Sequence, residues 1–151
     1  EEIHSDIMKN AWNEEKQAFT QSYQSEHLDA SVLLMEYYGF IEGKDPKYVK
    51  TVKAIEKELM HESLLYRYKN EDDFGLPSSS FTVCTFWFIN SLYKIGEEDN
   101  AKALFDKLLG YSNHLGLFSE DIDFNSKRLL GNFPQAYSHL ALIDNALNFN
   151  E

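Results

Sequence analysis

One cysteine, three prolines and seven glycines are spread over 151 residues, and the scarcities exclude a good deal. Cys84 has no partner for an internal disulfide, so packing has to close the core, and a reducing, cytoplasmic setting is expected. Basic residues are also few, 14 against 25 acidic, for a net charge of −11. Phosphate backbones and anionic bilayers repel such a chain, so nucleic acid and membranes are not expected partners. A neutral ligand is indifferent to that charge. No apolar run reaches the roughly 20 residues that span a bilayer. The polar N-terminus lacks signal-peptide shape and an initiator Met, which points to a processed or excised piece.

Ligands for metals and phosphates are missing as well. There is no glycine-rich phosphate loop, and His4, His27, His61, His114 and His139 show no metal-ligand spacing. Asp121, Asp123 and Asn125 imitate the opening of a calcium loop. Ser126 replaces its glycine and Asn132 its closing glutamate, so the pattern fails. No cofactor and no metal are expected. Cys84, between Val83 and Thr85 in an apolar run, has none of the polar neighbours of a nucleophile.

What is present is a core: 43% of residues are apolar and 15% aromatic, enough for one domain. Tyr48, Val52, Ile55 and Leu59 step by four, three and four, the stripe of an amphipathic helix entered through Asp45 and Pro46. Ala101, Leu104, Phe105, Leu108 and Leu109 form a second stripe that stops at Gly110. A third runs from about Ile3 to Phe19. Between these stripes lie segments with few charges on any face: Leu28 to Tyr38, Phe81 to Tyr93, and Pro134 to Phe149. Periodicity leaves helix and strand open for the middle one, but length favours helix, with Gly39 and Gly96 where caps would fall. Amphipathic and buried segments alternate three times. The expected fold is therefore all-α, three hairpins of an outer and an inner helix, half of an (α/α)6 toroid over residues 1–151.

Two polar loops each lead from an outer helix to an inner one. The first, from about Met60 to Ser80, holds Tyr66, Arg67, Tyr68, Asp72 and Asp73. The second, Tyr111 to Asn132, holds Glu120, Asp121 and Asp123. In a layered toroid both emerge above the N-termini of the inner helices, where the helix dipole keeps a carboxylate ionised. Arginine between two tyrosines suits a sugar, offering donors for hydroxyls and aromatic faces for the ring. The plainer reading is an ion pair between Arg67 and Asp72 or Asp73.

The stretches DDFGLPSSSFTVCTFWFINSLYKIG, NAKALFDKLL, GLFSEDID and GNFPQAYSH, with LDASVLLMEYYGFI, TVKAIEKEL and LLYRY, resemble glycoside hydrolase family 15, the glucoamylase and trehalase family. The resemblance covers practically the whole chain. It implies the C-terminal half of the catalytic domain of an inverting α-glucosidic hydrolase, glucoamylase-like and acting on α-1,4 gluco-oligosaccharides, with trehalase as the alternative. Glu120, in the SED of GLFSEDID, matches the general base, and inversion requires such a base to activate water opposite the leaving group. Arg67 matches the arginine that holds sugar hydroxyls. Tyr66 and Tyr68 flank it, and Gln135 and Tyr137 fall where the family lines its pocket. Trp87 reads as core.

The general acid has no match here. Trp12, Asn13, Glu14 and Glu15 approximate its motif but fall on an expected outer helix. The isolated chain is expected to be inactive for want of that acid. Its partners would be an oligosaccharide or disaccharide and either the missing N-terminal half of the domain or a second copy on the exposed inner-helix edge. A non-catalytic helical module that binds glycan or protein is the reading of another class.

Overall fold

The computed structural model describes residues 2–73 and 75–150. Among them are six α-helices: α1 (Glu2–Asn10), α2 (Leu34–Tyr37), α3 (Pro46–Leu59), α4 (Thr82–Ile95), α5 (Glu98–Leu109) and α6 (Ala136–Asn148). The all-α expectation needs correction, because seven short strands form three antiparallel sheets. β1 (Trp12–Asn13) pairs with β2 (Ala18–Phe19), and β3 (Met60–His61) with β4 (Leu64–Leu65). β5 (Ser79–Phe81), β6 (Asp121–Asp123) and β7 (Leu129–Leu130) form the third. Strands of two or three residues are shorter than the alternation needed to reveal them.

Helix α4 is the centre of the packing. The ambiguous apolar run is a helix with nine of its fourteen residues buried. Gly96 ends it at φ 95°, a left-handed conformation that a residue without Cβ adopts at least cost. Around it pack α3, α5, α6 and a 3-10 turn at Ala30–Leu33. Helix α3 starts as its sequence says: the Asp45 carboxylate accepts the Lys47 N–H at 2.8 Å, and Pro46 occupies the first turn. Its stripe of Tyr48, Val52, Ile55 and Leu59 is completely buried. Helix α6 is tied to α4 by Asn145, whose Nδ2 donates to the Phe86 carbonyl at 3.0 Å, and by Asn148, which donates to Asn90 at 2.7 Å. Its opposite face leaves Leu140, Ile143 and Leu147 exposed.

Two expected helices are cut short. The first stripe leaves the helix at Asn10, and Trp12 then pairs with Phe19 across a hairpin, their rings 5.3 Å apart. Asn13 accepts the Lys16 N–H at 2.9 Å, a local turn that competes with helix. The Phe19 N–H donates to Thr51 Oγ1 at 3.0 Å, fixing the hairpin on α3. Glu14 and Glu15 are exposed at its tip. The first inner segment becomes the 3-10 turn followed by the single turn of α2, with Tyr37 and Tyr38 exposed. Among the described residues no helix is long and apolar enough to cross a membrane.

Candidate active site

Glu120 sits one residue before β6, and the three-stranded sheet decides where it points. β6 pairs with β5 so that Phe81 faces Asp121, and with β7 so that Asp121 faces Leu130. The Glu120 carbonyl accepts the Thr82 N–H at 2.9 Å, on the first residue of α4. Nearby, the Phe118 carbonyl accepts the Gln135 N–H at 3.0 Å, just ahead of α6. The loop therefore spans the N-termini of α4 and α6, the positive ends of their dipoles.

Two further contacts stitch this loop to α6. Ser138 Oγ donates to the Ser119 carbonyl at 2.9 Å. His139 Nε2 accepts the Phe118 N–H at 3.2 Å, so its proton is on Nδ1, which donates to the Gln135 carbonyl at 2.7 Å. The Glu120 carboxylate is held through one oxygen. Oε2 accepts the Asn132 N–H at 3.1 Å and Asn132 Nδ2 at 3.0 Å, and no described residue donates to Oε1. Asp121 is half-buried and accepts Ser79 Oγ at 2.7 Å. Burial raises its carboxyl above the ordinary aspartate range, the Ser79 bond opposes that, and the Glu120 charge adds to it.

Arg67 reaches the same end of the helices. The Leu65 N–H donates to Thr85 Oγ1 at 3.0 Å in the first turn of α4, and Ser80 Oγ donates to the Leu65 carbonyl at 2.9 Å. Two residues on, the Arg67 carbonyl accepts the Ala30 N–H at 2.8 Å, at the start of the 3-10 turn. The Arg67 side chain is about half exposed, with Nε 3.5 Å from Asp29 and the guanidinium 5.5 Å from the Tyr68 ring. An ion pair thus exists, but with Asp29, far away in sequence. Asp72 receives the Tyr68 hydroxyl, which raises that phenol.

The remaining candidates divide. Tyr137 is exposed at the rim, its ring 5.8 Å from Trp87 and 6.4 Å from Phe81. Its phenol is raised first by burial, with the positive charge of Arg67 opposing. Trp87, read as core, is only half-buried and lines a cavity of about 220 Å³ with Tyr38, Asn90, Tyr137 and Asp144. Gln135 caps α6 in extended conformation with no side-chain bond to the helix, so its amide is uncommitted to capping. Tyr66 makes ring contacts of its own. Its ring stacks on Phe124 at 4.0 Å with Lys69 Nζ 4.8 Å from its centroid, so packing takes its faces. Cys84 is buried and its thiol is pushed up by that burial.

Sequence reasoning assigned no role to Asp29, Gly131 or Asn132. Each lies inside a stretch that carries the family resemblance, and only the contacts give them a task. The pseudo-calcium loop has its own explanation: Asp123 Oδ1 accepts the Asn125 N–H at 3.1 Å and the Ser126 N–H at 2.6 Å, closing a turn. Among the described residues no group of three or more His, Cys, Asp or Glu is placed to hold a metal.

The family model for glycosyl hydrolases family 15 matches residues 1–147. The chain belongs to this family. It is 43% identical over 147 residues to a trehalase of Mycobacterium tuberculosis (strain ATCC 25618 / H37Rv), covering 95% of this chain and 22% of that protein. It is 41% identical over 145 residues to a trehalase of Thermoplasma acidophilum, covering 95% and 25%. Trehalase 1 of Sulfolobus acidocaldarius is 34% identical over 143 residues, covering 95% and 25%. This family 15 chain thus spans about a quarter of the length of the curated relatives it matches. Among solved structures, a wild-type glycosidase superposes with a TM-score of 0.81 at 15% identity, and a glycosidase variant in complex with glucose with 0.83 at 14%. Each covers 99% of this chain and 42% of the other. At that identity the likeness speaks for the fold alone.

Proposed function

We propose that this family 15 chain is the base-bearing part of an inverting trehalose hydrolase. The observation that carries the reading is that the segments bearing Glu120 and Arg67 both bond to the first turn of α4, the Glu120 carbonyl through Thr82 and Leu65, two residues before Arg67, through Thr85. Trehalose takes the place of the α-1,4 gluco-oligosaccharide expected from resemblance, because the relatives at 34–43% identity are trehalases. The six helices correspond to half of an (α/α)6 toroid. Support comes from the 42% coverage of glycosidase chains and from the exposed α6 face at Leu140, Ile143 and Leu147, which the rest of a catalytic domain would cover.

In this mechanism Glu120 takes a proton from water as the water oxygen bonds to the anomeric carbon. The glycosidic C–O bond breaks with its electron pair on the departing oxygen, which takes a proton from an acid outside these residues. Inversion needs the two carboxyls roughly 6.5–9.5 Å apart to admit that water. Arg67 donates to sugar hydroxyls, Tyr68 and Tyr137 offer aromatic faces, and Gln135 offers its amide.

Trehalose joins two glucose units through two α-anomeric carbons, so attack with inversion releases one β- and one α-glucose. The test is to incubate the intact protein with trehalose, maltose and isomaltose and follow the nascent anomers by proton NMR. Trehalose is expected to be cleaved fastest, giving equal α- and β-glucose at early times. Early release of α-glucose alone would exclude inversion, and preference for maltose would return the substrate to the α-1,4 class.

A further inference from the structure

We infer that Asn132 and Gly131 are positioning residues for Glu120, pinning Oε2 so that Oε1 is the oxygen that receives the proton from water; the inference rests on Glu120 being the base. Asn132 makes three hydrogen bonds to this one residue. Its carbonyl accepts the Glu120 N–H at 2.9 Å, its own N–H donates to Oε2 at 3.1 Å, and its Nδ2 donates to the same oxygen at 3.0 Å. The first of these follows the end of the β6–β7 pairing, one residue out of its register, and sets Asn132 beside the carboxylate.

Gly131 completes the seat by having no side chain. It adopts φ 73°, and a Cβ built there would stand 2.8 Å from Glu120 Oε2 and 3.1 Å from Glu120 Cβ. Any larger residue would be strained in backbone and would push the carboxylate off Asn132. A carboxylate free to turn about its last torsion presents either oxygen to the water. With Oε2 committed to two donors, the torsion is fixed and Oε1, which no described residue contacts by hydrogen bond, keeps its lone pairs for the water. A base needs that alignment, since misplacement by about 1 Å costs on the order of 10²-fold in rate.

The test compares Asn132→Ala, Asn132→Asp, Gly131→Ala and Glu120→Gln in the intact protein, by kcat and KM on the disaccharide it cleaves and by melting temperature. Asn132 is exposed, so its replacement leaves the core alone. Asn132→Ala is expected to lower kcat by about 10- to 100-fold with KM within about threefold of the parent. Asn132→Asp keeps the size but sets an acceptor against an acceptor, and is expected to be slower still. Gly131→Ala should fall with them. Suppose Glu120→Gln silences the enzyme while Asn132→Ala stays within about twofold of parental kcat, or Asn132→Asp outperforms Asn132→Ala. The positioning role is then wrong and the base assignment stands. Loss of kcat only in step with melting temperature also overturns it. If Glu120→Gln itself keeps its kcat, the base assignment is what fails.

Discussion

Arg67 Nε stands 3.5 Å from Asp29 Oδ2, and the two ends of this pair live in different surroundings: the aspartate side chain is 4% exposed, the arginine side chain 48%. Asp29 is fixed independently, because its Oδ1 accepts the Ser31 N–H at 2.7 Å and caps the 3-10 turn. A buried, anchored carboxylate thus stands beside Nε of a guanidinium side chain that is about half exposed. That geometry presents a planar fork of donors instead of a swinging cation.

If Arg67 clamps the sugar, loosening its anchor should weaken substrate binding more than chemistry. Asp29→Asn keeps the volume and the cap but removes the charge. It is expected to raise KM by about 3- to 10-fold with a smaller change in kcat, and Arg67→Lys to raise KM further. Steady-state kinetics on both variants check this. An unchanged KM in Asp29→Asn beside a raised KM in Arg67→Lys would show that the clamp does not depend on Asp29.

The Tyr48 hydroxyl links three segments. It donates to the Leu33 carbonyl at 2.8 Å and lies 2.9 Å from Ser91 Oγ, inside a core where burial raises the phenol. Tyr48→Phe leaves the Leu33 carbonyl without that donor and should cost about 1–3 kcal/mol. Urea denaturation of the intact protein measures it, and a loss near zero would mean that water replaces the hydroxyl.

Asp121 should make stability fall as pH rises through its raised range. Its folded carboxyl titrates above the unfolded one, first because of burial, so folding takes up a proton. The favourable contribution is therefore full below the unfolded value, about 3.9, and is lost as the pH climbs through the folded value. Asp121→Asn removes that loss while leaving an oxygen for Ser79. Relative to the parent, it should melt higher at about pH 7 than at about pH 4. An equal difference at the two pH values counts against a raised carboxyl.

The parts that could be read from the chain are those with short-range physical causes. Asp45 and Pro46 start α3, its stripe is buried as spaced, and Thr82 to Tyr93 lies within a buried helix ended by Gly96, with Phe81 left in β5 ahead of it. The helix expected to reach Phe19 was misread because Ile7, Ala11 and Ala18 keep a helical spacing while Asn13 turns the chain and Thr51 holds Phe19. The ring contact of Tyr66 with Phe124 is likewise not legible locally. Adjacency to Arg67 says nothing about a ring that Phe124, 58 positions away, occupies.

By itself the sequence determined the family, the amphipathic helices α3 and α5, the buried helix α4, and the candidacy of Glu120 and Arg67, because propensity, caps and motif wording act over a few residues. Only the tertiary structure decided that Asp29 anchors Arg67, that Asn132 and Gly131 seat Glu120, and that Tyr66 belongs to the packing. Those relations cross 38, 12, 11 and 58 positions of chain, and hydrogen bonds and van der Waals contacts are set by distance in space, which no local pattern encodes.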